Sequence, residues 1–334
     1  VQAKRVVIVS PALARANNGN WQTARRWAHF LRERCRVTIA LDWSPAEGAP
    51  DLLIALHARR SAESLAAFKR AYPQKPSVLV LTGTDLYRDI RTDPQAQQAL
   101  AEADSLVLLQ EAGLAELAPA LRTKARVIHQ SAATLRAHIP APGARKLDIC
   151  MIGHLRAEKD PLTFMRASFL VRSPKARLIH IGGALEAGLG AQAEATQAAN
   201  PHYRWLGNLA HGATRQRLKR SHAMVIASHM EGGANVIIEA LTSSVPVLAS
   251  DISGNRGMLG EDYCGYFPVG DAPALARLIE RSIDDPAFYG TLREQCARRA
   301  ALFTPQAEQA ALRDLVDNLL SAPPANQLQK RNRP

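Results

Sequence analysis

Glu231 and Glu239 stand eight positions apart in SHMEGGANVIIEAL, residues 228–241, around a Gly-Gly pair and a short apolar run. A carboxylate accepts hydrogen bonds from both hydroxyls of a diol. A glycine turn at a helix start offers free N–H groups and about half a positive charge to a phosphate. AMVIAS reads as a strand ending near Ser228, and residues 234–243 have helical character ahead of Pro246. Gly232 and Gly233 therefore join the carboxyl end of a strand to the amino end of a helix, and glycine lets a ligand approach the backbone closely. In that setting Glu239 can hold a ribose and Glu231 the hydroxyls of a sugar beyond the phosphates. The competing reading is an ordinary helix with an acidic start, which favours the helix dipole by a few tenths to about 1 kcal/mol.

A second polar cluster follows an apolar run in DICMIGHLRAEKDPLTFMRA. Gly153, His154, Arg156 and Lys159 come at the end of a strand and before a helix, where cations can neutralise a diphosphate. The alternative is a solvated loop with an exposed lysine. No Asp-x-Asp triplet occurs, so no metal site is expected on the diphosphate. Leaving-group charge then falls to Lys159, Arg156 or His154 and the helix end.

The elements that must position these groups are legible as alternation. RVVIVS (5–10), RVTIAL (36–41), LLIALHA (52–58), SVLVLT (77–82), SLVLLQ (105–110) and RVIHQS (126–131) are continuous apolar runs, as expected of strands covered on both faces. Helical stretches lie between them, one with Ser61 as its expected cap. LRAHIPAPGARK, residues 135–146, breaks any element at Pro140, Pro142 and Gly143 and reads as a linker. DICMIGH, RLIHIGG, YRWLGN, AMVIAS, PVLAS and GYFPV then repeat the alternation, and residues 272–320 are mostly helical with breaks at Pro286 and Pro305. The expected fold is α/β, two Rossmann-like domains facing across a cleft. The boundaries read as 1–138, 146–302, a final helix 303–322 returning to the first domain, and a disordered tail 323–334.

At 334 residues two domains are the default, and no apolar run is long enough to span a membrane. VQAKRVVIVS has no cleavage pattern, so no signal peptide is expected. Cys35, Cys150, Cys264 and Cys296 lie far apart without a Cys-x-x-Cys pair and read as small buried hydrophobes in a reducing, cytoplasmic compartment, with neither zinc nor disulfides. A net charge of +12 invites a nucleic-acid partner, but aromatics at 5% are too sparse to stack bases and the basic residues are scattered. Residues 1–145 carry 20 Lys+Arg against 12 Asp+Glu, a net +8, and the remainder 22 against 18, a net +4. The excess in the first half suits a small anionic partner there.

The Glu–Gly-Gly–Glu segment, the GHLRAEKDP turn and PVLASDISGNRGMLG together resemble the second half of a GT-B glycosyltransferase carrying a Glu-x7-Glu motif. The resemblance implies a nucleotide-sugar in the second domain and an acceptor in the first. Glu239 would hold the ribose and Glu231 the donor sugar. Gly232, Gly233, Ala234 and Asn235 would contact donor phosphate or sugar, and Lys159 the diphosphate. The usual Arg of the family's Gly-Arg-Leu turn is His154 here, so Arg156 is the candidate replacement cation. PALARANNGNWQTARRWAHFL, LIALHARRSAESLAAF, LTGTDLYRDI and VIHQSA resemble, more closely, the selenosugar synthases of selenoneine biosynthesis. That family joins selenophosphate to UDP-N-acetylglucosamine or a related UDP-sugar, giving a 1-seleno-sugar, UDP and phosphate. It implies no separate cofactor.

Selenophosphate is already an anion with a nucleophilic selenium, so its site needs cations more than a general base. Four strand-end segments could form one rim: Asn17, Asn18, Gly19 and Asn20; His57, Arg59 and Arg60; Thr82, Gly83, Thr84, Asp85, Tyr87 and Arg88; and Gln130 with Ser131. Arg59, Arg60 and Arg88 can meet a phosphoryl group bidentately. His57, Glu231 and Lys159 are the candidates for catalysis itself. Each has a structural alternative: His57 as a satisfied buried histidine, Asp85 as a helix cap, Arg88 and Arg91 on a solvated face, Trp21 and Trp27 as packing residues. Two other functions stay open, an O-glycosyltransferase with a lipid or polysaccharide acceptor and a non-catalytic nucleotide-sugar-binding protein. A nicotinamide oxidoreductase is disfavoured, because neither first βα turn carries Gly-x-Gly-x-x-Gly, and GLGAQA (188–193) is not set directly between strand and helix.

Overall fold

The computed structural model of the protein describes residues 3–13, 19–136, 138 and 146–321. The linker residues Pro140, Pro142 and Gly143, the segment Asn17-Asn18 and the tail 323–334 lie outside the described residues. The chain divides into two compact units, one running to Gln130 and resuming at Pro305, the other spanning Ser131–Thr304.

In the first unit β1 (Lys4–Val9), β2 (Cys35–Ala40), β3 (Leu52–Leu56), β4 (Ser77–Leu81), β5 (Ser105–Leu108) and β6 (Ala125–Val127) form one sheet in the order β2-β1-β3-β4-β5-β6. All its pairs are parallel. Both faces are covered, which is why the runs are apolar throughout. Val7, Val9, Leu53 and Leu79 pack towards the helices Ala62–Ala71 and Pro94–Glu102. Val6, Ile8, Ile54 and Val80 pack towards the helices Gly19–Leu31 and Pro305–Ser321. That last helix is held by the buried Glu308, which accepts from Arg26 Nε at 2.6 Å and Trp27 Nε1 at 2.8 Å. Trp27 is thus a packing residue, fully buried.

The second unit repeats the design with β7 (Leu147–Ile152), β8 (Ala176–Ile181), β9 (Tyr203–Trp205), β10 (Ala223–Ile226), β11 (Val247–Ser250) and β12 (Tyr266–Phe267), in the order β12-β11-β10-β7-β8-β9. These pairs are parallel too. The helices Ala272–Asp284, Pro286–Ala300 and Pro305–Ser321 follow with proline at the starts of the last two, the position where its missing N–H costs nothing. All twelve expected strands are present, and most stop short of the carboxyl end of their apolar run.

Strand order reverses between β1 and β3 in one sheet and between β7 and β10 in the other. Ligands of open α/β sheets settle outside the carboxyl ends at such switch points.

Two local expectations change. Ser61 does not cap its helix; its hydroxyl donates to the Leu56 carbonyl at 2.7 Å, closing the turn instead. Asp85 is no helix cap either. It is fully buried, and its carboxylate accepts from the amides of Gly83 at 2.7 Å, Thr82 at 3.0 Å and Ala58 at 2.9 Å, tying the loops after β3 and β4 together. GLGAQA opens the helix Leu189–Ala199, with Gly188 at its start at φ 85°, well beyond the end of β8 at Ile181.

Cys35, Cys150, Cys264 and Cys296 are free thiols, all buried except the half-buried Cys264. Burial pushes the Cys150 thiol up to about 12 and that of Cys296 to about 11, so neither supplies a thiolate near neutral pH. Among the described residues no helix is long and apolar enough to cross a membrane.

Candidate active site

At the switch point of the second unit β7 and β10 are hydrogen-bonded neighbours, so the loops that follow them meet. Lys159 Nζ stands 2.5 Å from Glu231 Oε1, with the two side chains only 19% and 10% exposed. Ser228, the last residue of AMVIAS, donates its hydroxyl to the same Glu231 oxygen at 2.6 Å. Among the described residues, both side-chain donors to Glu231 therefore converge on Oε1. Ser228 is itself fixed, because its carbonyl accepts from Ser250 Oγ at 2.7 Å, and Asn255 Nδ2 donates to the Ser250 carbonyl at 2.8 Å. Gly254 lies against the Glu231 carbonyl, where a Cβ would overlap the oxygen.

The turn after β7 is braced in the same way. Gly182 (φ 153°) has no room for a Cβ, which would overlap the Gly153 carbonyl oxygen. His180 Nε2 is 3.3 Å from that oxygen, and its Nδ1 is 3.0 Å from Tyr203 Oη. An imidazole that donates through Nε2 and accepts at Nδ1 is neutral, and burial lowers the His180 pKa to about 4. His154 accepts the Gly183 amide at Nδ1, 3.0 Å away. Burial first, then Arg156 and Lys159, hold its pKa below the usual histidine value. At neutral pH His154 is thus a neutral N–H donor, not one of the cations expected there; the positive charges are Arg156 and Lys159. Arg156 Nε is buried and carries no hydrogen bond among the described residues.

Glu239 sits in the helix Asn235–Leu241, whose start, at Ala234, receives no side-chain cap. Gly232 and Ala234 are buried there, while Gly233 and Asn235 are half-buried. Neither Gly232 nor Gly233 has a positive φ, so what glycine contributes at these positions is a missing side chain. Glu239 Oε1 is 2.6 Å from His211 Nε2. His211 carries no signal in the sequence, lying far upstream with no motif around it. The partners of Gly182 and His180, and of Gly254 and Asn255 within PVLASDISGNRGMLG, are likewise not stated by the sequence, since neighbouring strands fix them. Ser228 alone lies in the quoted stretch, three positions before Glu231.

The first unit places His57, Arg59, Thr84, Asp85 and Arg88 together after β3 and β4. His57 follows the end of β3 at φ 76°, a conformation a β-carbon disfavours, so the surrounding contacts must hold it. Its Nδ1 accepts the Arg60 amide at 3.3 Å and its Nε2 is 3.2 Å from Thr84 Oγ1. Burial lowers the His57 pKa against the opposing charge of Asp85, so the ring is neutral at neutral pH. Asp89, four residues beyond Asp85, is a further member. Its two oxygens accept from Arg59 Nε at 3.0 Å and Arg88 Nε at 3.1 Å. Burial raises the Asp89 pKa, but the hydrogen bonds from Arg88 and Arg59 outweigh it and leave the carboxyl below its usual value. One buried carboxylate thereby sets two exposed guanidinium groups side by side.

Asp85 keeps its carboxylate on backbone amides, and Thr82 and Gly83 supply two of those amides. Gly19 and Asn20 open the helix Gly19–Leu31, with Asn18 outside the described residues. Gln130 donates to Thr23 Oγ1 in the buried interior, and Ser131, also buried, belongs to the second unit.

The family model of the group 1 glycosyl transferases matches residues 137–330. The chain belongs to this family. Solved structures similar to this group 1 glycosyl transferase include that of HepE from Anabaena in complex with UDP and glucose. The TM-score is 0.76 at 14% identity, covering 94% of this chain and 100% of that one. Sucrose-phosphate synthase from Thermosynechococcus elongatus gives 0.75 at 17% identity, covering 96% and 100%. The pneumococcal O-GlcNAc transferase GtfA in complex with UDP and GlcNAc gives 0.63 at 16%, covering 81% and 57%. At these identities the likeness is one of fold. This group 1 glycosyl transferase has the GT-B architecture of two Rossmann-like domains.

Proposed function

We propose that the protein is a UDP-sugar-dependent glycosyltransferase that acts as a selenosugar synthase in selenoneine biosynthesis, joining selenophosphate to the anomeric carbon of a donor such as UDP-N-acetylglucosamine. The donor half rests on the Lys159–Glu231 pair at the strand-order reversal of the second unit. Lys159 and Arg156 neutralise the diphosphate as the bond to the sugar breaks, with His154 donating a neutral hydrogen bond. Glu231 holds donor hydroxyls through the oxygen its protein partners leave open, Glu239 holds the ribose, and the Gly232–Asn235 turn contributes amides. UDP in the HepE and GtfA complexes supports a uridine donor.

The acceptor half rests on Asp89 clipping Arg59 and Arg88 together next to His57. Two guanidinium groups held on one carboxylate suit the oxygens of a phosphoryl anion. Gly19, Asn20, Arg60, Thr82, Gly83, Thr84 and Ser131, with Asn18, complete the proposed acceptor set. Selenium attacks C1, the C1–oxygen bond breaks, and UDP leaves with its electron pair. Water then cleaves the selenium–phosphorus bond, releasing phosphate and the 1-seleno-sugar. No base is required for the attack, which agrees with a His57 that is neutral and already hydrogen-bonded. The reaction is proposed to proceed without a divalent metal.

The test is a matrix of UDP-sugars against selenophosphate, thiophosphate and hydroxyl acceptors, read by mass spectrometry with and without EDTA. A selenium-dependent product with stoichiometric UDP and phosphate, unaffected by EDTA, is expected. UDP release with a hydroxyl acceptor alone would assign an O-glycosyltransferase instead.

A further inference from the structure

Glu239 is held by a residue on a different helix, and that arrangement assigns a role to a histidine outside the motifs. His211 opens the helix His211–Lys219, which packs against the helix Asn235–Leu241 that carries Glu239. The Nε2–Oε1 separation is 2.6 Å, and Glu239 is only 12% exposed. One turn further along the first helix, Arg215 is buried and anchors the helix pair, donating to Ser243 Oγ at 3.2 Å and to the Ala133 carbonyl at 3.0 Å. The helix that presents His211 is therefore fixed at its neighbouring turn. Glu239 is close enough for its charge to counter the effect of burial on Arg215.

We infer that His211 is a positioning residue for nucleotide recognition: by donating to Oε1 of Glu239 it orients the carboxylate so that both oxygens can meet the two hydroxyls of a ribose. This rests on the reading of Glu239 as the ribose carboxylate. Oε1 keeps an acceptor site beside the His211 bond, and Oε2 has no hydrogen bond among the described residues. An unrestrained glutamate loses rotamer freedom when it binds a diol, and a carboxylate already pinned at one oxygen has less to lose. The consequence is selectivity for ribose over 2′-deoxyribose, beyond any effect on affinity alone.

The experiment measures dissociation constants of UDP and 2′-deoxy-UDP by calorimetry, with melting temperatures, for the wild type, Glu239→Ala, His211→Ala and His211→Gln. The wild type is expected to favour UDP by about tenfold or more, the size of one well-placed hydrogen bond to a charged group. Glu239→Ala abolishes the preference. His211→Ala reduces it at least about threefold, and His211→Gln, whose amide N–H can reach the same oxygen, restores most of it. A His211→Ala protein that melts lower but keeps the full preference makes the histidine merely structural and overturns the inference. Retention of the preference in Glu239→Ala removes the ribose assignment itself, and the role of His211 with it.

Discussion

Lys159 and Glu231 are 72 positions apart in the chain, yet their ammonium and carboxylate meet at 2.5 Å because β7 and β10 are neighbours. The pair gives each group a partner in a poorly solvated corner. Removing one member leaves the other buried and unpaired. Lys159→Ala is expected to lower unfolding free energy by about 2–3 kcal/mol, below the full cost of breaking a buried pair because the lysine keeps some solvent. Glu231→Gln, which retains the shape and a hydrogen-bonding oxygen, should melt within a few degrees of the wild type. Its kcat should nonetheless fall about a hundredfold. Denaturant melts and UDP-release kinetics decide the matter, and a Glu231→Gln enzyme with wild-type turnover would remove Glu231 from the chemistry.

Asp89 is expected to matter as much as the arginines it holds. Asp89→Ala removes the carboxylate that both guanidinium groups share, so the KM for the anionic acceptor should rise about tenfold, close to the effect of Arg59→Ala or Arg88→Ala. UDP affinity should be unchanged, because Asp89 lies in the other unit from Glu231 and Glu239. Equal losses for UDP and acceptor would argue against separate subsites.

Two glycines outside the motif should be intolerant of any side chain. Gly182→Ala drives a Cβ into the Gly153 carbonyl and Gly254→Ala drives one into the Glu231 carbonyl, both contacts with backbone that cannot swing away. Each should cost about 2 kcal/mol or more of stability, or displace the loop and cost activity. Gly290 is the control. A Cβ there meets nothing within 4 Å, and the residue lies inside the helix Pro286–Ala300, so Gly290→Ala should stabilise by about 1 kcal/mol. Melting curves of the three variants, with activity, separate a steric role from a general dislike of substitution.

Acid should weaken the second unit before its carboxylates protonate. His180 is neutral and buried in the folded chain with a pKa of about 4, against an ordinary value near 6.5 when unfolded. The unfolded chain therefore binds the extra proton first, and stability is complete above about pH 6.5 and lost as pH falls towards 4. That difference amounts to on the order of 3 kcal/mol from His180 alone. His154 and His222, in the same unit, are shifted in the same direction by burial and steepen the loss. At His222 a bond to the Ser282 carbonyl opposes the effect of burial only partly. Urea melts at pH 7.5, 6 and 5 should show the decline, and a flat profile across that interval would contradict a neutral buried His180.

Much of the fold is legible in the residues. Continuous apolar runs mark strands covered on both faces, and Pro286 and Pro305 mark where helices restart, because these are short-range consequences of side-chain chemistry. The carboxylates Glu231 and Glu239, the Gly232-Gly233 turn and the cations Arg156 and Lys159 are visible for the same reason: each is a local pattern at a strand end. Ser61 and Asp85 look like caps in the sequence and are not, because a polar side chain before a helix has other acceptors and donors to choose from once the loops fold.

Which of these groups share a partner is a matter of packing. Local sequence does not state that β10 lies beside β7, or that the helix His211–Lys219 packs on the helix that carries Glu239. Sheet order and helix packing are set by the burial of the whole apolar surface, and they bring Lys159 to Glu231, His211 to Glu239, and Arg59 to the Arg88–Asp89 pair. The residue types were therefore fixed along the chain, while their pairing, charge state and orientation came from the tertiary fold at the two reversals of strand order.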